Sequence, residues 1–282
     1  MGIKGLVYRI LKILRQKKYR EVISPNSRLY CFDIIASNGT NSIILKYFRN
    51  IDSCNRIIAN EMKKLSLVFK GIPIIVGEKS KKQKLKDGIV YRRFGITVVS
   101  PDTLRLWIIE EEYPVFYAER GGIYVKIDGR KIKIMREKLG LSLGDLARKV
   151  GVSRKAIYSY ENQAMETTPY VAYKLEEILG TSIIVPLTSP FQKYTSPKIE
   201  YIANNRIGDP KLLRIGQKLI KEGFSIMEHK RAPFELSAVL FNTNKEKRII
   251  IKRLKHQIDS RETCLLKKII DIMNMDISLK II

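Results

Sequence analysis

The chain of 282 residues has few residues of the kinds that build metal centres and disulfide frameworks. It contains three cysteines, Cys31, Cys54 and Cys264, with no C-x-x-C pair, and two histidines, His229 and His256. A structural zinc site takes about four thiolate or imidazole ligands, and a disulfide framework needs paired cysteines. A zinc centre and a disulfide-stabilised secreted fold are therefore excluded, and the sequence indicates no cofactor.

The sequence also lacks an apolar run long enough to span a bilayer, and no secretory signal is evident. A chain of this length is expected to form two or three domains. Residues 4–20 form a basic amphipathic stretch, which is typical of the first helix of a domain and also of a helix lying on a membrane surface. We expect a cytoplasmic protein without a membrane partner.

Acidic residues are scarce relative to basic ones, with 28 Asp and Glu against 53 Lys and Arg and a formal net charge of +25. The basic and acidic counts are 24 and 12 in residues 1–128, 10 and 6 in residues 129–180, and 19 and 10 in residues 181–282. Such a charge indicates a polyanionic partner, or alternatively a lysine-rich surface of the kind found in heat-adapted proteins. Most of the excess lies outside the middle of the chain.

Residues 129–180 carry the signals of short helices separated by tight turns. A first amphipathic stretch ends at Gly140, where a glycine can adopt the left-handed conformation after a helix. Ser142 can then cap a second helix, and Asp145 three residues later nearly completes a capping box. This order predicts two helices joined by a short turn.

The same segment continues with a third and a fourth helix. Gly151 allows a tight turn, and Ser153 can cap the helix that follows, in which Ile157 and Tyr160 are expected to face inward. Pro169 suits the first turn of a fourth helix, where its missing amide hydrogen is not needed. The four predicted helices can together bury a small apolar core.

The motif of this segment comprises Ser142, Leu146, Ala147, Gly151, Val152, Ser153, Ile157, Tyr160, Glu161 and Asn162. It resembles the phage-repressor (Cro/C1, or XRE) helix-turn-helix family. The resemblance implies that the third helix reads base edges in the major groove and that the preceding turn holds phosphates. The implied DNA-binding residues are Ser142, Ser153, Arg154, Lys155, Tyr158, Ser159 and Asn162. The alternative is a helical pair used for packing or protein contact.

One position departs from the family pattern. The residue after the capping serine is often Gln in the family and contacts a phosphate, but this chain has Leu143. That phosphate contact is therefore not implied here.

The N-terminal part has an α/β order of predicted elements. Two β-rich runs flank Asn38-Gly39, a hairpin signal, and a helix, further strands and a helix beginning at Pro101 follow. Between the strands lies a basic loop or hairpin with Lys81, Lys82 and Lys84, which either contacts DNA phosphates or is a solvated face.

Asp33 and Lys46 in this order resemble the core of the restriction-endonuclease-like fold used by archaeal Holliday-junction resolvases. In active members an Asp on one strand and an acidic-x-Lys on the next hold magnesium, which needs more than one carboxylate. Here Ile44 stands at the acidic position. The resemblance thus implies a nuclease fold without nuclease chemistry, and Glu21 or Glu61 are the candidates for a migrated ligand.

The end of the chain repeats the order of the beginning. In the alignment Asp33 corresponds to Glu235, Lys46 to Lys252 and Ile44 to Ile250. A duplication is the economical explanation, although two α/β units can align by chance. The second copy also lacks a second carboxylate and is shorter than the first.

The whole layout resembles archaeal proteins described as Cro/C1-type transcriptional regulators. We expect a multidomain α+β chain in which a central all-α helix-turn-helix lies between two α/β restriction-endonuclease-like units. The expected boundaries are 1–120 for the first unit, 121–180 for the helix-turn-helix, 181–209 for a linker and 210–282 for the shorter second unit.

The expected function is sequence-specific, DNA-binding transcription regulation by a homodimer on double-stranded DNA, with the helix from Arg154 to Asn162 in the major groove. The effector is unknown. The alternatives are a DNA nuclease or junction resolvase targeted by the helix-turn-helix, and an architectural protein that binds DNA without sequence preference.

Overall fold

The computed structural model describes residues 3–119, 121–187, 207–241, 246–253 and 259–282. The N-terminal unit contains α1 (Ile3–Gln16), β1 (Arg20–Ile23), β2 (Ile34–Ser37), β3 (Ser42–Asn50), a 3-10 turn (Ile51–Ser53), α2 (Arg56–Phe69), β4 (Ile72–Ser80), β5 (Gln83–Lys84), β6 (Ile89–Arg93), β7 (Ile96–Val99), α3 (Pro101–Arg105) with a π-helical extension (Leu106–Glu110), and β8 (Phe116–Glu119).

The middle part contains β9 (Gly122–Ile127), α4 (Gly129–Lys138), α5 (Leu143–Val150), α6 (Arg154–Glu161), α7 (Pro169–Leu179) and β10 (Ile184–Val185). The C-terminal unit contains α8 (Pro210–Lys221), β11 (Ser225–Glu228), β12 (Leu236–Leu240), β13 (Lys247–Lys252), α9 (Asp259–Met273) and β14 (Ile277–Ile281). No helix within the described ranges combines the length and apolarity needed to cross a membrane.

A large mixed sheet organises the N-terminal unit. In the described residues its strand order is β1-β2-β3-β4-β7-β6-β8-β9-β10, with β5 paired to β4. The predicted hairpin joins β2 to β3, and Gly39 in its turn has φ +88°. β3 and β4 are parallel because α2 crosses between them.

Helices cover both faces of this sheet. On one face α1 buries Leu6, Ile10 and Leu14, whose i, i+4 spacing places them on one side of the helix, against a cluster that includes Trp107. The apolar side of α1 is therefore occupied by the protein core and is not presented to a membrane surface. On the other face α2 buries Met62 and its neighbours.

The C-terminal unit repeats the first four strands of the N-terminal unit. Its order is β11-β12-β13-β14, with two antiparallel pairs followed by a parallel pair, as in β1-β2-β3-β4. The Tyr47 amide donates to Asp33 Oδ2 at 2.7 Å, and the Arg253 amide donates to Glu235 Oε2 at 2.8 Å. These are the same bonds at aligned positions, so the predicted correspondence of the two ends extends to backbone geometry.

The two units share one apolar core. α2 packs against β12, and reciprocally α9 packs against β1 and β2. Phe69 of α2 meets Phe234 edge to face, with ring centroids 6.2 Å apart. The Cys31 amide donates to the Arg231 carbonyl at 2.9 Å, and the Tyr30 hydroxyl donates to Glu262 at 2.6 Å. Each unit thus covers the apolar face that the other would expose.

The predicted linker is only partly within the described residues. Residues 188–206 lie outside them, whereas Ile184–Val185 form β10 and pair with β9. β9 also pairs with β8, so strand pairing continues across the predicted boundary at residue 121. The strands β9 and β10 flank the four helices of the middle part and connect them to the large sheet.

Candidate nucleic-acid interface

The start of α5 has the predicted capping arrangement. The Asp145 amide donates to Ser142 Oγ at 3.1 Å, and the Ser142 amide donates to Asp145 Oδ2 at 3.0 Å. The hydrogen bonds from Ser142 to this carboxylate, assisted by Arg148, lower the pKa of Asp145 to about 2. The Ser142 hydroxyl is therefore already engaged at the helix start, and a phosphate contact from it has to replace one of these bonds.

The turn between α5 and α6 follows the sequence prediction. Gly151 has φ +83°, which few residues other than glycine adopt. The Ala156 amide donates to Ser153 Oγ at 3.1 Å, so Ser153 caps α6. Ile157 and Tyr160 are buried in a core shared by all four helices. The two helices are held in a fixed relative orientation.

A buried ion pair that the sequence reasoning missed fixes the other end of α6. Arg136 of α4 donates to Glu161 through Nε at 2.6 Å and Nη2 at 3.0 Å, and its Nη1 donates to the Leu141 carbonyl at 2.9 Å. The hydrogen bonds to Glu161 raise the pKa of Arg136. A bidentate guanidinium holds its partner in one geometry. The only feature of the sequence that pointed to this ion pair was the place of Glu161 in the helix-turn-helix motif.

The solvent side of α6 carries the predicted base-reading residues. Arg154 and Lys155 are exposed in its first turn, and neither has a carboxylate within 4.0 Å among the described residues. Tyr158, one turn later, is 59% exposed, whereas Ser159 is half-buried. Asn162 is exposed, but its Nδ2 donates to the Tyr158 carbonyl at 2.8 Å and so caps the helix end.

This face has the chemistry that a major groove requires. An α-helix with its side chains is about 10 to 12 Å across, which fits the roughly 12 Å width of the major groove, and the positive end of the helix dipole lies at its N-terminus. An unpaired guanidinium can donate two hydrogen bonds to guanine, and a lysine can contact guanine or a phosphate. Arg154, Lys155 and Tyr158 combine exposure on this face with side-chain donors that have no protein acceptor among the described residues.

The predicted basic loop lies on a different element. Lys81 and Lys82 form the two-residue turn between β4 and β5, where the Lys81 amide donates to Asp52 Oδ2 at 2.6 Å, and Lys84 follows on β5. All three side chains are exposed. Three strands lie between β4 and β9 in the sheet order. At the usual strand spacing, β4 and β9 are therefore about 19 Å apart. The loop and the α6 face therefore lie on separate elements of the fold.

The nuclease-like position in the N-terminal unit does not fit a magnesium ion. Asp33 is buried, and its carboxylate accepts from Lys46 Nζ at 3.0 Å and from the Tyr47 amide. Lys46 also donates to the Tyr30 carbonyl at 3.0 Å. Ile44, at the acidic position, is fully buried in the core shared with the C-terminal unit. No group of three acidic, histidine or cysteine residues suited to a metal occurs among the described residues.

Neither candidate for a migrated ligand joins this position. Glu21 pairs with Arg15 at 2.6 Å, on the α1 side of the unit. Glu61 pairs with Lys64 at 2.7 Å and accepts from the Lys230 amide at 3.1 Å. Both carboxylates are used to connect structural elements.

The aligned position in the C-terminal unit is similar. Lys252 Nζ donates to Glu235 at 3.4 Å and to Glu262 of α9 at 2.6 Å. Glu262 in turn accepts from Tyr30 of the N-terminal unit. The buried lysine and its carboxylates thus belong to the contact between the two units.

Comparison with known protein families identifies two domains. Residues 4–114 match the PD-(D/E)XK superfamily domain, and residues 132–185 match a helix-turn-helix family. These matches confirm the predicted nuclease-like fold of the N-terminal unit and the predicted helix-turn-helix. The C-terminal unit falls outside both matched ranges.

Several archaeal proteins, provisionally named HTH-type transcriptional regulatory proteins, are similar over most of the chain. The protein of Pyrococcus abyssi is 36% identical over 224 residues, which cover 79% of this chain and 69% of the relative. That of Methanocaldococcus jannaschii is 36% identical over 234 residues, covering 83% and 71%. Among solved structures, a chain of the SinR protein/SinI protein complex aligns at 22% identity over 34% of this chain and 80% of that chain, with a TM-score of 0.19.

The two domain matches lie within one chain, and the relatives match it across both. The identity of these relatives and the share of their length that is covered are high enough to assign a common family. The chain therefore belongs to the family of HTH-type transcriptional regulatory proteins.

Proposed function

We propose that this protein is a sequence-specific DNA-binding transcription regulator of the cytoplasm that reads the major groove with α6. The observation that carries the proposal is a pair of exposed cations in the first turn of a helix that is fixed at both ends, neither of which has a carboxylate partner among the described residues. The family membership and the names of the relatives support it. A rigid frame is what base readout needs, because hydrogen bonds to base edges tolerate little displacement.

Within this proposal Arg154 and Lys155 contact base edges, and Tyr158 and Ser159 complete the contact along the groove. Ser142, Ser153 and Asn162 lie at helix ends and contact the sugar-phosphate backbone. Lys81, Lys82 and Lys84 add phosphate contacts that carry no sequence information.

We propose that the protein acts as a homodimer. One short helix makes too few base contacts for useful specificity, and two half-sites separated by about 10 base pairs or a multiple double them. The apolar faces of α2 and α9 are already covered within one chain. Any dimer contact made by the flanking units therefore uses other surfaces.

Selection of binding sites from a random duplex pool, followed by sequencing, tests whether Arg154 and Lys155 contact base edges. Arg154→Ala and Lys155→Ala are each expected to cost about 1 to 3 kcal/mol at the selected site and to relax the sequence preference. Neutralising Lys81, Lys82 and Lys84 together should instead weaken binding to all sequences and reduce its salt dependence. Lys12→Ala, which removes an exposed charge on α1, is the control and should leave the selected consensus unchanged.

An equal loss of affinity on every sequence after the Arg154→Ala change would show that α6 does not read bases. Tight, salt-sensitive binding without any consensus would favour the architectural alternative.

We propose further that the C-terminal unit is a degenerate copy of the nuclease-like unit and that neither unit cleaves DNA. Support comes from the matching strand order and from isoleucine at the acidic position of both copies, Ile44 and Ile250. The test is incubation of duplex and four-way junction DNA with the protein and magnesium or manganese. We expect intact DNA, and cleavage that Asp33→Ala abolishes would contradict this.

A further inference from the structure

The outer side of α8 carries a row of basic residues. Lys211, Arg214, Lys218 and Lys221 are all exposed, and none has a carboxylate within 4.0 Å in the described parts of the chain. At 100° per residue they fall within an arc of about 80°, and they extend along about 15 Å of the helix. The buried residues Leu212, Gly216 and Leu219 lie on a different side, against β11 and β12. The basic row therefore faces solvent.

The sheet beside α8 adds two more cations on the same side. Ile249 and Ile251 of β13 face α8 in a common apolar cluster, so Lys247, two residues before Ile249, points the same way. Register pairs Ile249 with Ser278 and Ile251 with Lys280, which places those side chains on this face as well.

A surface cleft occupies this part of the sheet. It is lined by Lys247, Ser278 and Lys280 together with Phe224, Leu240, Glu222 and Asp276. In the N-terminal unit the aligned face of β3 and β4 is covered by α1 and α3. The C-terminal unit leaves its counterpart open and basic within the described residues.

We propose that the outer side of α8 with Lys247 and Lys280, here called the α8 basic surface, binds the phosphate backbone of duplex DNA as a second, sequence-independent contact. This inference rests on the proposed function, because it takes the DNA held by α6 as the partner. Four cations spaced along 15 Å match a strand of regularly spaced phosphates, and each phosphate contact releases a condensed counterion.

The distribution of charge favours DNA over a merely solvated face. On α1, the helix aligned with α8, Arg9 has Asp102 and Arg15 has Glu21 as carboxylate partners. The α8 row has none in the described residues. Unneutralised like charges on one helix side repel each other, and a polyanion relieves that repulsion.

The test uses the full-length chain and a 30-base-pair duplex of random sequence, with affinity measured by fluorescence anisotropy across a salt series. The α8 variant is Lys211→Gln, Arg214→Gln, Lys218→Gln and Lys221→Gln combined. The control removes the same number of exposed charges from α1 and from α9, on the opposite side of the C-terminal sheet, through Lys12→Gln, Arg261→Gln, Lys267→Gln and Lys268→Gln. Circular dichroism and the urea midpoint check that both variants fold.

The α8 variant is expected to bind the random duplex at least about tenfold more weakly at 0.15 M salt, and its log-log salt slope should fall by up to about 3.6, or 0.9 for each phosphate that is no longer neutralised. The control should change either quantity only slightly. An equal decrease in both variants, or no decrease in the α8 variant, would overturn the proposal. Should the quadruple variant fail to fold, Lys247→Gln with Lys280→Gln is measured instead, with the same signs expected.

Two further readouts separate this proposal from its rivals. Leu213 and Ile220 are exposed on α8, so binding of the protein to phosphatidylglycerol vesicles is also measured. If the α8 variant loses vesicle binding while its DNA binding is unchanged, the proposal is overturned in favour of a lipid surface.

The ratio of selected-site to random-duplex affinity should stay unchanged in the α8 variant. If Arg154→Ala leaves that ratio unchanged, the proposed function fails, and the α8 effect on random duplex is still read independently.

Discussion

Gly129 begins α4 at the point where that helix meets the end of α6. A Cβ atom at this position would lie 2.2 Å from the Tyr160 carbonyl oxygen and 2.6 Å from that of Glu161. Backbone oxygens cannot move aside as a flexible side chain can, so any side chain here displaces one helix from the other. The absence of one methyl group therefore sets how closely α6 approaches α4.

Gly129→Ala is expected to lower the free energy of unfolding by about 1 to 3 kcal/mol or more, because the clash forces a backbone shift. It should also weaken binding to the selected DNA site, since α6 moves with the strained contact. Urea unfolding and anisotropy measure the two effects.

Gly144→Ala is the matched control, because a Cβ atom there meets only Ser142 Oγ at 3.7 Å and Gly144 lies within α5. It should stabilise the protein by up to about 1 kcal/mol. Equal stability of the two variants would show that the close approach at Gly129 is not needed.

At the scale of elements, the contact between α2 and the C-terminal unit contains a buried titratable pair. Glu61 of α2 lies beside His229, with Oε2 3.6 Å from Nδ1, and the His229 Nε2 is 2.8 Å from the Ser237 hydroxyl. Burial lowers the pKa of His229, so the ring is neutral near pH 7. Burial alone would raise the pKa of Glu61, but the neighbouring His229 ring and the Lys64 ammonium lower it to about 2.

Both pKa shifts lower the stability of the folded protein in acid. Below pH 6.5 the unfolded chain takes up a proton on His229 that the folded chain binds more weakly, so stability falls as the pH falls. The loss is about 1.4 kcal/mol per pH unit while the folded ring stays neutral. Glu61 adds a second loss between about pH 4.5 and pH 2, where the unfolded carboxylate is protonated first.

Urea unfolding at pH 7, 6 and 5 is expected to show this fall in the wild-type protein, and His229→Asn should reduce it in that range. Glu112→Gln, at an exposed position, is the control and should keep the wild-type slope. A slope in the His229→Asn variant equal to that of wild type would assign the pH dependence to other groups. Comparing slopes keeps the test valid even where the variant is less stable at every pH.

Among the structural elements, local sequence could predict the helix ends and turns but not the long-range contacts. Caps and turn glycines act within a few residues, and for that reason Ser142, Gly151, Ser153 and Pro169 located α5, α6 and α7. The Arg136–Glu161 pair joins residues 25 positions apart, and nothing near Arg136 distinguishes it from the exposed cations of α4. The order of predicted elements included the helix α2, but such an order does not name the surface that the helix covers.

At the scale of the whole molecule, the alignment of the two ends predicted equivalent strands and the aligned lysines, but not their association. The contacts that join the units link Cys31 to Arg231 and Tyr30 to Glu262, across 200 residues or more. Such pairs leave no local signal in a single sequence. The restriction-endonuclease resemblance was confirmed for the N-terminal unit. The isoleucine at its acidic position, Ile44, is explained by the shared core, in which it is buried.

The shared core also has a consequence for the order in which the protein is made. The apolar faces of α2, β1 and β2 are complete once the first 70 residues or so have been translated, but α9, which covers β1 and β2, ends at Met273. At about 5 to 20 residues per second, roughly 10 to 40 s separate the two events. The nascent chain therefore carries an open apolar surface on the ribosome, and it gains its final stability only when α9 has emerged.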